Sequence, residues 1–183
     1  SDDGWADVTA GQFNDLVRSV ARGLIARGVE PGQPVAILSP TRYEWTVLDF
    51  ALWTAGAFAV PIYDSSSAEQ IEWIVSDSGA VAVITDSPAS AERVRGALAE
   101  PLPPIWVMDD DLVGALQAEG AAVADEVLDQ RAAAASVGDP ATIVYTSGTT
   151  GRPKGCVISH ESLMFVARTL VAGTGPVVST PGA

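Results

Sequence analysis

VAILSPTRYEWTVLDFALWTAGAFAVPI, residues 35 to 62, decides the fold. Val35 to Leu38 is a short run, apolar at every position, as a strand covered on both faces requires. From about Arg42 to Thr54 the residues Trp45, Leu48, Leu52 and Trp53 recur at helical spacing, and Ala57 to Ile62 is a second apolar run that Pro61 is expected to close. Strand, helix and strand in that order predict neighbouring parallel strands joined by a crossover helix.

The same alternation continues in both directions. Upstream, Thr9 with Gln12 forms a capping box, and Phe13, Leu16, Val17, Val20, Leu24 and Ile25 make one apolar helical face that Gly28 stops before the Glu30-Pro31-Gly32 turn. Downstream, Ser65 to Ser67 read as a polar loop and helix start, with Ile71, Ile74 and Val75 on one face until Ser78-Gly79. Val81 to Thr85 is a third strand, Pro88 to Leu98 a helix, and Ile105 to Met108 a fourth strand after the Pro101 to Pro104 breaker. The signal weakens from Asp109 to Val137, where Leu112, Val113 and Leu116 mark one helix and Val127, Leu128 and Arg131 another. The whole predicts an α/β fold with a layered, largely parallel β-sheet flanked by helices.

Composition narrows the function. The 183 residues suffice for one domain with a real core, and 48% apolar against 18% charged residues excludes a disordered chain. A formal net charge of −13 argues against a nucleic-acid binder held by surface charge. One Cys rules out an intramolecular disulfide framework, and with no basic-then-apolar leader it predicts a cytoplasmic protein. The longest apolar stretch, the 13 residues from Phe50 to Ile62, is broken by Thr54 and Gly56 and falls short of a membrane span.

The chemistry concentrates in Thr146-Ser147-Gly148-Thr149-Thr150-Gly151-Arg152-Pro153-Lys154-Gly155. Glycines let backbone N–H groups face a ligand, hydroxyls donate to phosphate oxygens, and a lysine adds a mobile point charge, so the composition suits a polyphosphate. Lys154 is the only lysine of the chain and, with Arg152, makes a local positive spot in an acidic protein. The spacing does not match the common P-loop, and Thr142 to Tyr145 before it and Cys156 to Ser159 after it predict strand, loop, strand, with a helix only from about Glu161. A ligand-free hairpin turn rich in Gly and Thr is the plain alternative.

Other residues carry weaker signals. Cys156 and His160 lie four apart, but roughly 13 Å of extended strand would separate them; Cys156 reads as a small core residue and His160 as a capping or packing group. Trp45, Trp53, Trp73 and Trp106 read mostly as core, and Asp109-Asp110-Asp111 as a solvated turn or helix start rather than a metal site.

YTSGTTGRPKG, Tyr145 to Gly155, resembles the phosphate-binding signature of the adenylate-forming superfamily of acyl-CoA synthetases, peptide synthetase adenylation domains and luciferases. Gly23 to Trp45, Asp49 to Gly79 and GCVISH from Gly155 to His160 are similar to its long-chain fatty-acid–CoA ligase branch, while Ser87 to Val137 is only loosely alike. The resemblance implies that a carboxylate attacks the α-phosphate of ATP, expelling pyrophosphate, and that CoA thiol then displaces AMP. It implies that Ser147, Thr149, Thr150 and Lys154 hold the β- and γ-phosphates, that Gly148 and Gly151 keep the loop mobile, and that Thr146 lies near Mg²⁺. It also implies that the catalytic lysine and the ribose and acyl motifs belong further along, so no catalytic residue is assigned here. The expected organisation is an N-terminal subdomain over 1–173, with the loop at 145–155, and a truncated connection over 174–183. Such a piece is expected to be inactive by itself and to expose an apolar patch that promotes self-association. A ligase that charges a carrier protein and a non-catalytic nucleotide-binding or interaction module are the alternatives. A fatty substrate admits peripheral membrane contact without requiring it.

Overall fold

A computed structural model of the chain describes residues 7–146 and 152–174. Helix α1 (Ala10–Ala26) starts on the expected capping box: Thr9 Oγ1 accepts from the Gln12 N–H at 3.2 Å and the Gln12 side chain accepts from the Thr9 N–H at 2.9 Å. Then come β1 (Pro34–Leu38), α2 (Tyr43–Thr54), β2 (Phe58–Ile62), α3 (Ala68–Ser78), β3 (Ala82–Thr85), α4 (Pro88–Ala97) and β4 (Ile105–Val107). Helices α5 (Leu112–Glu119) and α6 (Asp125–Ala134) precede the hairpin of β5 (Pro140–Thr146) and β6 (Lys154–Ser159), and α7 (His160–Thr174) follows it.

The strands form one sheet in the order β4-β3-β1-β2-β5-β6, every neighbouring pair parallel except the antiparallel β5–β6. Side chains alternate across the strands and so divide two cores. Val35, Ile37, Ala59 and Ile84 face one side, against Val20 and Leu24 of α1, Leu48 and Leu52 of α2, Leu116 of α5 and Leu128 of α6. Ala36, Leu38, Val60, Ile62 and Val83 face the other, against Ile71, Ile74 and Val75 of α3 and Val94 of α4. The step from β1 to β2 and the reverse step from β2 to β3 put their helices on opposite faces, as right-handed crossovers demand.

Close approach fixes the first layer. A Cβ on Gly23 of α1 would stand 2.1 Å from the Leu116 carbonyl oxygen, so only glycine lets α1 and α5 meet. Arg131 of α6 ties that helix to the connections before β1 and β2, donating to the carbonyls of Val29 and Ala55 at 2.8 and 2.9 Å.

β2 ends at Ile62, as the run predicts, and the missing N–H of Pro61 is tolerated because β5 pairs with β2 only at Ala59–Thr142. One local expectation is corrected. Cys156 is exposed rather than core, because β6 is the edge strand and the described residues leave this part of it uncovered. Among the described residues no helix is long and apolar enough to cross a membrane.

Candidate phosphate-binding site

The two strands expected to flank the motif are observed as β5 and β6. Thr146 pairs with Lys154, Tyr145 with Gly155 and Val144 with Cys156 across the β5–β6 ladder. Directly opposed side chains on an antiparallel pair share a face, so Thr146 and Lys154 stand side by side at the base of the loop, both exposed. Ser147, Gly148, Thr149, Thr150 and Gly151 lie outside the described residues. The loop leaves the carboxyl end of β5 beside that of β2, the edge at which open parallel sheets take their ligands.

Tyr145 and Gly155 occupy the opposite face of the hairpin, toward α3. The buried Tyr145 ring lies across Gly155, where a Cβ would come within 3.0 Å of the ring and 2.9 Å of the Ile143 side chain. Its hydroxyl donates to Asp77 Oδ2 at 2.7 Å. Burial, together with that carboxylate, holds the Tyr145 phenol above its ordinary range, so it is a neutral donor and not a base. On the other limb Trp73 Nε1 donates to the Pro153 carbonyl at 2.8 Å, and the Arg152 guanidinium lies 4.6 Å from the Trp73 ring centroid. Arg152 is thus committed to an aromatic face, whereas Lys154 makes no ion pair among the described residues. A cavity of about 580 Å³ opens beside this limb, lined by Glu69, Glu72, Trp73 and Arg152 among others.

The sequence profile of AMP-binding enzymes matches residues 1–180. The chain belongs to the AMP-binding enzyme family. It is 43% identical over 166 residues to the long-chain-fatty-acid–CoA ligase FadD15 of Mycobacterium bovis, covering 87% of this chain and 28% of that protein. Among solved structures it resembles the Mycobacterium tuberculosis fatty acyl CoA synthetase at 31% identity and a TM-score of 0.73, over 91% of this chain and 32% of that one. The N-terminal domain of FACL13 from Mycobacterium tuberculosis, solved with an inhibitor bound, matches at 34% identity and a TM-score of 0.73, over 90% of this chain and 40% of that one. The chain therefore spans less than half the length of these relatives, and its architecture is that of acyl-CoA synthetase N-terminal domains. Within the AMP-binding enzymes it stands close to long-chain fatty-acid–CoA ligases.

Of the weaker candidates, Asp111 caps α5 by accepting from the Gly114 N–H at 3.3 Å, as a helix start should, and Asp109 pairs with Arg42 at 2.7 Å. The His160 ring packs edge-on against Trp53 at 5.5 Å between centroids. Trp73 was expected in the core and is instead half-buried at the candidate site, with Asp77 as its companion. Trp73 and Asp77 are four residues apart on a helix and so share a face, and a partly buried indole N–H needs an acceptor; those were the available signals.

Proposed function

We propose that this chain is the N-terminal part of an ATP-dependent long-chain fatty acid–CoA ligase, and that the loop between β5 and β6 grips the triphosphate tail. The observation that carries the reading is Lys154, the chain's only lysine, set across the ladder from the Thr146 hydroxyl at the carboxyl edge of the sheet. The 43% identity to a fatty-acid–CoA ligase supports the substrate class.

In this reading a carboxylate oxygen bonds to the α-phosphorus of ATP, the bond to the bridging oxygen breaks, and pyrophosphate leaves with its electron pair. The thiol of CoA then forms the thioester and releases AMP. Ser147, Thr149, Thr150 and the backbone about Gly148 and Gly151 bind and orient the leaving phosphates, and Lys154 offsets the charge that grows on them. Thr146, exposed at the carboxyl end of β5, carries a hard hydroxyl oxygen and is the residue that would help hold a Mg²⁺ alongside the phosphates. Such an ion would neutralise phosphate charge. The 183-residue chain by itself is proposed to be inactive.

Replacing Lys154 or Thr149 by Ala in the complete polypeptide tests the assignment. Pyrophosphate exchange into ATP is expected to fall by about two orders of magnitude or more, with the melting temperature held. Unchanged exchange in both variants overturns the loop's role. Exchange catalysed by the isolated 183-residue chain overturns its proposed inactivity.

A further inference from the structure

We propose that helix α3 positions the phosphate loop, with Trp73 and Asp77 as its two points of attachment. The inference rests on the reading of residues 146–155 as the triphosphate site. Its starting point is a gap in the sheet. β5 touches β2 through a single ladder pair, Ala59–Thr142, so beyond that pair the segment from Ile143 to Thr146 has ladder partners only on β6, itself an edge strand. The tip of a two-stranded ribbon held only by its own turn is at best marginally ordered in water. A loop that must present several donors to one polyphosphate would then lose binding energy to its own ordering.

Helix α3 supplies the missing anchorage on both sides of the turn. Asp77 takes the incoming limb through the Tyr145 hydroxyl, and Trp73 takes the outgoing limb through the Pro153 carbonyl and the Arg152 guanidinium. The helix is itself well fixed. The Ser67–Gln70 capping box starts it, Gly79 at φ 66° ends it, and Ile71, Ile74 and Val75 seat it in the second core. Gly155 belongs to the same device, because the Tyr145 ring reaches α3 only by crossing the place where a Cβ would be. The ends of the turn are therefore set by a helix that contributes no hydroxyl or lysine of the loop motif, and Trp73 and Asp77 are positioning residues.

The test uses the complete polypeptide and two readouts, steady-state pyrophosphate exchange and calorimetric titration with Mg-ATP. Trp73→Phe keeps a ring under Arg152 and removes the donor to Pro153, and Tyr145→Phe keeps the ring over Gly155 and removes the donor to Asp77. Each is expected to raise KM and Kd for ATP by about 3- to 10-fold, the worth of one hydrogen bond, with KM for the carboxylate within twofold. Asp77→Ala should match Tyr145→Phe, and Asp77→Asn, which keeps an acceptor oxygen, should restore most of the loss. Values of KM and Kd for ATP at wild-type level in Trp73→Phe and Tyr145→Phe would overturn the proposal. So would a parallel rise in both substrates' KM, which signals a general loss of structure. Lys154→Ala separates the two claims: if it abolishes ATP binding while the α3 variants do nothing, only the positioning role fails, and if it too does nothing, the loop assignment fails with it.

Discussion

β1 and β6 belong to one sheet and live in opposite surroundings. Val35 to Leu38 of β1 are fully buried, flanked by parallel neighbours and covered on both faces by helices. Lys154 to Val157 of β6 are exposed, paired on one side only, with Val157 at 59% exposure and Phe165 of the following helix at 71%. The central strands are held by apolar area that this chain supplies for itself. The hairpin that carries the candidate site buries Tyr145 in the second core, and near the loop its further attachments are a few directional contacts to α3. Substitutions should therefore act on stability in the first region and on ligand binding in the second.

The sharpest contrast is between two glycines. Gly23→Ala drives a methyl into the backbone of α5, 2.1 Å from a carbonyl oxygen that cannot rotate away, and is expected to cost more than about 3 kcal/mol in chemical denaturation. Gly155→Ala meets the Tyr145 and Ile143 side chains at 3.0 and 2.9 Å, which can shift. It should cost only about 1 to 2 kcal/mol while weakening ATP binding as strongly as Tyr145→Phe. Equal stability losses at the two sites would dissolve the comparison.

A second measurement probes the buried region through pH. Asp49 of α2 is buried, no donor reaches its carboxylate among the described residues, and burial pushes it up to about 7 from 3.8. Between those values the folded state holds a proton that the unfolded state has released, so unfolding free energy falls as pH rises from 4 to 7 and levels off above. The drop is bounded at about 4 kcal/mol. Asp49→Asn should flatten that slope and leave the variant more stable than the parent at pH 8, read from denaturant midpoints across the range. An unchanged slope would show that the carboxylate is solvated. The hairpin holds no such group: its buried Tyr145 phenol is raised, away from the same window.

The same contrast explains what the sequence made legible. The buried strands announce themselves as unbroken apolar runs, and the helices by their period and by caps such as Thr9 with Gln12, because each of these signals is local. The order of the strands, and the division of Val35 from Ala36 into separate cores, depend on which helix crosses which face, and no single window contains that. At the site, Thr146 and Lys154 could be placed together because they flank one short motif between two apolar runs. Trp73 and Asp77 could not, since their partners stand 80 and 68 residues away. Cys156 was misread for a related reason: small apolar character predicts burial only where something covers the strand, and this edge of β6 is bare among the described residues.

That bare edge yields the smallest effect on stability. Val157, Met164, Phe165 and Val166 expose apolar surface on β6 and α7, a face suited to packing against further protein. Val157→Thr and Phe165→Ser should change the stability of the 183-residue chain by no more than about 0.5 kcal/mol, because neither side chain is desolvated in it. We propose that copies of the 183-residue chain associate through this face, so the same pair should shift it toward monomer in sedimentation velocity. In the complete polypeptide they should instead cost about 1 to 3 kcal/mol, the worth of burying such side chains. If the two hosts respond alike, this face is solvent-facing in both, and the contrast between a self-sufficient sheet and a dependent hairpin fails at its outer edge.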